Sequence, residues 1–251
     1  MIGHLAAREL RSLFLSPLAW TVLAVEQLIL ALVFLYLLGQ YQDLQPQFSM
    51  LENQVGITEF LVPSLFGFAA MVMLLVTPLL TMRLISEERR AGTLPLLLSA
   101  PVSLSEIVLG KYLGVLGFIG LMVLLLSLMP LSLLMGGTLD FGLLASAVTG
   151  ILLMLAAFSA GGLYLSTITR QPALAAIGGF FLLLFFWIIE IAGSGVSPGE
   201  TTLFTYFSLQ RHYHAFLRGI FDTSDVIYFG LFILVFLVLS IRRLDADRLQ
   251  H

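Results

Sequence analysis

Few side chains in this sequence are equipped for chemistry. Glu26 interrupts an otherwise apolar run, Leu18 to Leu38, and Gln27 follows it. A carboxylate in such a run is costly. It either faces a pathway or subunit interface, or packs protonated against a neighbouring helix. Arg83, Glu87, Glu88, Arg89 and Arg90 form a dense patch of both signs, and Lys111 is the only lysine. Lys111 sits in Leu109-Gly110-Lys111-Tyr112, and no G-x-x-x-x-G-K-[ST] occurs, so the chain cannot cradle ATP phosphates in a P-loop. HExxH, GxSxG and EF-hand patterns are missing. The absence of cysteine excludes disulfides, thiolate zinc sites and cysteine nucleophiles. His212 and His214 would point to different faces of a helix and have no third ligand nearby, which argues against a metal site. The chain reads as no enzyme and as binding no cofactor or metal. If it does work, the energy enters through another subunit.

Those residues are set among apolar blocks. The hydrophobic fraction is 59%, the charged fraction 11% and the mean hydropathy +1.03. A water-soluble core cannot absorb that much apolar surface. A spanning helix needs about 20 apolar residues. The stretches Leu18 to Leu38, Phe60 to Met82, Tyr112 to Leu139, Phe141 to Thr169, Ala173 to Ile189 and Val226 to Ile241 are candidates, the last extended by snorkelling Arg242 and Arg243. Nearly every cation falls in alternate gaps: Arg8, Arg11, Arg83, Arg89, Arg90, Lys111, Arg170, Arg242, Arg243 and Arg248 on one side, Arg211 and Arg218 on the other. Lys and Arg are enriched in cytoplasmic loops, so both termini are expected in the cytoplasm. The fold class is all-α, a polytopic membrane protein of six transmembrane helices forming one domain over residues 1–251. The first span reads as an uncleaved anchor. Scattered cations form no nucleic-acid patch.

The polar segments supply the functional candidates. Residues 1–16 mix Ile2, Leu5, Leu10, Leu13 and Phe14 with Arg8, Glu9 and Arg11, which suits an amphipathic helix on the inner membrane face, ended at Pro17. After span 2, Gly92 breaks the chain, Thr93 is placed to cap a short helix from Leu94, Pro95 is tolerated in a first turn, and Pro101 ends it near Ala100. Ser103-Leu104-Ser105-Glu106 is a capping-box pattern that starts the next helix. The leucines Leu94, Leu96, Leu97 and Leu98 need a cover: the membrane interface and its lipids, the rest of the chain, or a cytoplasmic partner's groove rimmed by Glu87 to Arg90. Gly39 to Glu59 reads as a polar outer loop. On the outer side, Leu209, Tyr213, Phe216, Leu217 and Ile220 share one helical face and Arg211, His214 and Arg218 another, the pattern of a helix lying in or dipping into the outer leaflet. Gly110, Gly114 and Gly117 line one helix face, a spacing that permits close helix contact.

The run Ile85-Ser86-Glu87-Glu88-Arg89-Arg90-Ala91-Gly92-Thr93-Leu94-Pro95-Leu96-Leu97-Leu98-Ser99-Ala100-Pro101-Val102-Ser103 resembles the coupling segment of ABC-2-type transporter permeases. Arg8-Glu9-Leu10-Arg11-Ser12-Leu13-Phe14-Leu15-Ser16-Pro17 is similar to the opening segment of the gliding-motility-type branch, and His214, Phe216, Arg218, Gly219, Asp222, Asp225 and Tyr228 fit its outer re-entrant region and last span. Pro95 departs from the helix-friendly residue expected there. The resemblance implies the permease subunit of an ATP-driven exporter in a bacterial inner membrane. It implies an elbow helix bearing Arg8, Glu9 and Arg11, and a cytoplasmic coupling helix between spans 2 and 3. It implies an outer re-entrant helix with Tyr213, His214, Phe216 and Arg218. A cytoplasmic ABC ATPase dimer that binds ATP and Mg would contact Glu87, Glu88, Arg89, Arg90, Gly92, Thr93, Leu94, Leu97 and Leu98. Other implied partners are a second permease copy or related permease and a periplasmic-facing auxiliary membrane protein. On this reading Glu88→Arg uncouples transport from hydrolysis while leaving insertion intact. The rival reading is a membrane scaffold without a pathway.

Overall fold

The structure, a computed structural model, describes residues 1–48, 56–99, 102–135, 139–193 and 207–248. Its elements are α1 (Ile2–Leu15), α2 (Pro17–Phe48), α3 (Ile57–Thr81), α4 (Ser86–Arg90), α5 (Leu94–Ser99), α6 (Leu104–Leu131) with a 3₁₀ turn at Ser132–Met135, α7 (Phe141–Ile168), α8 (Pro172–Gly193), α9 (Leu209–Leu217) and α10 (Thr223–Arg248). Six of these helices, α2, α3, α6, α7, α8 and α10, are long and apolar enough to cross a membrane. Helix α7 is the hub: it packs against α3, α6, α8, α9 and α10, and it carries no charged residue between Phe141 and Ile168. The core it anchors includes Phe66, Phe118, Phe158, Phe216 and Phe229, all fully buried.

Local signals account for several boundaries. Ser103 Oγ accepts from Glu106 N (3.2 Å) and Glu106 Oε2 accepts from Ser103 N (3.1 Å), so the expected capping box starts α6. Asp140 caps α7, accepting from Gly142 N (2.8 Å) and Leu143 N (3.1 Å). Gly92, at φ +70°, sits at the exit of α4, a backbone state that glycine adopts without a Cβ penalty. Pro95 falls in the first turn of α5, where its missing N–H is not needed.

Two helices outrun their sequence boundaries. Helix α2 continues through Phe48 into the segment expected to be an outer loop. Gly39 costs a helix only about 1 kcal/mol, the Gln, Tyr and Leu that follow are helix-compatible, and Pro46 stands in the last turn. Helix α10 continues past Arg242 and Arg243 to Arg248, carrying Asp247 back toward the bundle. The segments around Glu52, Gly136, Ala100–Pro101, Glu200, Phe204 and Tyr206 lie outside the described residues, as do the side chains of Leu98 and Glu190.

Candidate functional site

The charged loop after span 2 is not a free rim. Helix α4 is held to the bundle from three directions. Lys111, 5% exposed on α6, reaches Glu88 Oε1 of α4 (2.9 Å) and Glu9 Oε2 of α1 (3.2 Å). Arg89 pairs with Asp247 at the end of α10. Ser166 Oγ on α7 accepts from Ile85 N and Ser86 N (3.0 Å each) and donates to the Met82 carbonyl (3.0 Å). The arginine-rich end of the bundle is thus one polar junction joining α1, α4, α6, α7 and α10.

This placement gives the residues of the loop different surroundings. Glu88 and Arg89 are committed inside the chain, because burial leaves their charges needing partners at close range. A Glu88→Arg exchange would bring a cation against Lys111, so it does not test a rim without also disturbing the junction. Leu94 is buried in the core and Leu97 is half-buried. Outward stand Glu87, Arg90, Gly92, Thr93 and Leu96, the last 72% exposed. The Thr93 hydroxyl donates back to the Glu88 carbonyl (3.4 Å). A cavity of about 410 Å³ lined by Met82, Arg83, Glu87, Arg90, Ala91 and Pro172 opens beside α4.

Helix α1 seats on α6. Leu5 lies over Gly110, Glu9 over Gly114 and Leu10 over Gly117, with the Phe14 ring 5.5 Å from Phe118. A Cβ at Gly114 would stand 2.6 Å from Glu9 Cβ and 3.0 Å from the Ala6 carbonyl oxygen. The small-residue face therefore serves the close helix contact its spacing suggested. Glu9 faces inward to Lys111, while Arg8 and Arg11 are exposed.

At the opposite end, α9 is covered by protein, not lipid. Tyr213 donates from its hydroxyl to the Phe66 carbonyl (2.9 Å), and Ser146 Oγ donates to the Phe216 carbonyl (2.9 Å). Phe216 rests on Gly150, nine residues into α7, roughly 14 Å along that helix. The helix therefore dips into the bundle before Gly219, at φ +75°, turns the chain out. Ile220, expected on the apolar face, lies beyond that turn and is exposed. Arg211, His214 and Arg218 are exposed as expected. His212 is buried, its Nδ1 2.6 Å from Asp225 Oδ1 and its ring stacked 4.0 Å from Tyr228. The two histidines diverge, and among the described residues no group of three or more His, Asp or Glu is arranged to hold a metal.

Glu26 is 1% exposed. Its Oε2 accepts from Gln27 Nε2 (2.9 Å), which also donates to the Met122 carbonyl of α6 (3.1 Å).

Ser166 and Asp247 had no signal in the sequence, and His212 and Asp225 were visible singly but not as a pair. Ser166→Ala strips one hydroxyl from three backbone groups. A loss of about 2 kcal/mol is expected, read as a lower thermal midpoint of the purified protein, and an unchanged midpoint would mean other groups satisfy the loop.

The family model described as ABC-2 family transporter protein matches residues 4–249. No curated protein matches the chain.

Proposed function

This chain belongs to the ABC-2 transporter family, and from that premise we propose that it is the permease subunit of an ATP-driven exporter, moved by a separate ATPase docked at its arginine-rich end. The observation that carries this is the build of the loop after span 2. It presents an exposed apolar side chain, Leu96, and exposed Arg83, Glu87 and Arg90 around a cavity. Behind that face, Lys111, Arg89 and Ser166 tie the loop to four helices, α1, α6, α7 and α10. An apolar knob with a charged rim suits a protein groove. A rigid tether behind it lets force on the loop reach the spans.

Orientation belongs to the same proposal. The arginine excess puts this end, with both termini, in the cytoplasm of a bacterial cell whose inner membrane holds the protein. The ATPase pair supplies nucleotide and Mg sites. A second copy or a related permease completes the transmembrane unit, and an outward-facing auxiliary protein fits the gliding-motility-type resemblance. ATP shifts the permease between inward- and outward-open states only if the loop binds the ATPase differently in the two.

Leu96→Asp tests the docking face without touching the junction. The variant is expected to insert normally and to bind the ATPase about tenfold more weakly, the loss of one buried leucine contact. Co-purification in mild detergent with hydrolysis assays reads this out. Full ATPase recruitment and stimulation by the variant would remove Leu96 from the interface, and no ATPase bound by the parent chain would leave the scaffold reading.

A further inference from the structure

Glu26 is the one carboxylate buried in the middle of a span among the described residues, and its surroundings do not use it fully. Gln27 satisfies Oε2, but Oε1 has no hydrogen-bond partner. The residue lines a slot of about 230 Å³ between α2 and α3, with Thr21, Val22, Val25, Ile29, Val72, Val76 and Leu79. The slot is apolar apart from Thr21 and Glu26, and the Thr21 hydroxyl is turned to the Leu18 carbonyl (2.9 Å). Val25, 56% exposed, stands at its mouth on the outer face of the bundle. Glu26 lies nine residues past Pro17, roughly 14 Å along α2.

A carboxylate oxygen without a donor, on a residue that lines an apolar slot, is best matched by a donor that also carries positive charge. An ammonium group supplies the missing donor and the opposite charge, and low dielectric strengthens that pair. An alkyl body fills the remaining apolar walls. We propose that this slot binds the ammonium head and alkyl chain of a lipophilic amine entering from the bilayer. A second copy of the chain is a poor occupant. Its only lysine is engaged by Glu9 and Glu88, its arginines lie outside the deep parts of the spans, and it has no cation to offer at this depth. As a cargo site the slot rests on the permease reading; as a binding site it does not.

The test uses the full-length chain in phosphatidylcholine nanodiscs without any ATPase, with radiolabelled dodecylamine and, as the neutral control, dodecanol. The parent is expected to bind the amine saturably. Glu26→Gln is expected to weaken amine binding at least about tenfold, the loss of a charge-assisted hydrogen bond, while leaving the alcohol unchanged. Val25→Trp, which fills the slot and keeps the carboxylate, is expected to weaken both. Equal amine binding by the parent and Glu26→Gln overturns the proposal, as does no saturable binding by the parent. Val25→Cys, clean in a chain with no other cysteine, reports the rival occupant: disulfide-linked dimers with amine binding lost would place a second copy over the slot and overturn it. Because no ATPase is present, these failures leave the permease reading to the co-purification test.

Discussion

Lys111→Met is expected to destabilise the protein by about 3–5 kcal/mol and to abolish coupled transport. The cost does not come from the lysine's own packing. Methionine replaces most of the apolar stem, but Glu9 and Glu88 then face each other across a half-buried site with no cation between them. Glu88 already has one oxygen, Oε2, without a hydrogen-bond partner, so it has no spare means of compensation. The two carboxylates either repel or take up protons, and either outcome loosens α1 and α4 from α6. The triple variant Lys111→Met, Glu9→Gln, Glu88→Gln separates two effects. Removing all charges is expected to restore most of the thermal midpoint, since a buried ion cluster contributes little net stability over neutral packing. Transport is expected to stay low, because the amides and methionine cannot hold α4 to α1 in one geometry. A single Lys111→Met variant with the parent's midpoint would show that the cluster is solvated and carries no such strain.

The bundle's outline was legible because its cause is local. Apolar runs of membrane-spanning length, the Ser103–Glu106 capping box and the Gly110–Gly114–Gly117 face each follow from neighbouring residues on one helix. The junction was not legible in the same way. Lys111 was visible as the lone lysine, and Glu9 and Glu88 as charges, but nothing in 102 or 23 residues of separation says that they share a site. Hydropathy ended the last span at Ile241, extended by Arg242 and Arg243, and assigned Asp247 no role; only the continuous helix to Arg248 returns it to Arg89. The leucines of α5 were legible as a set but not as individuals. A six-residue helix beside a bundle has an inside and an outside, and its angular setting comes from the bundle: Leu94 faces in and Leu96 out. The outer helix shows the same division. Periodicity marked Leu209, Tyr213, Phe216 and Leu217 as one face but carried it on to the exposed Ile220 and did not mark the buried His212, while the identity of the cover, protein in place of lipid, depended on where α3 and α7 leave a recess.

That recess sets the second large effect. Gly150→Leu is expected to lower stability by about 3 kcal/mol, at the upper end of what overpacking a core costs. A Cβ at Gly150 would stand 2.5 Å from Phe216 Cβ and 2.8 Å from its Cγ. These atoms lie at the root of the side chain, so a rotamer change cannot clear them, and α9 must move as a body. Movement breaks the hydrogen bond from Ser146 Oγ to the Phe216 carbonyl and the one from Tyr213 to the Phe66 carbonyl. It also pulls on His212 and its contact with Asp225 at the start of α10. The arginine-rich junction lies at the far end of α7, some sixteen residues on at Ser166, and has no part in this contact. The two ends should therefore separate experimentally. Gly150→Leu is expected to open α9 to proteolysis or to labelling at an introduced Phe216→Cys, while ATPase recruitment at the other end survives. Loss of recruitment together with α9 packing would instead mean that α7 transmits the disturbance along its length, and that the two ends form one mechanical unit.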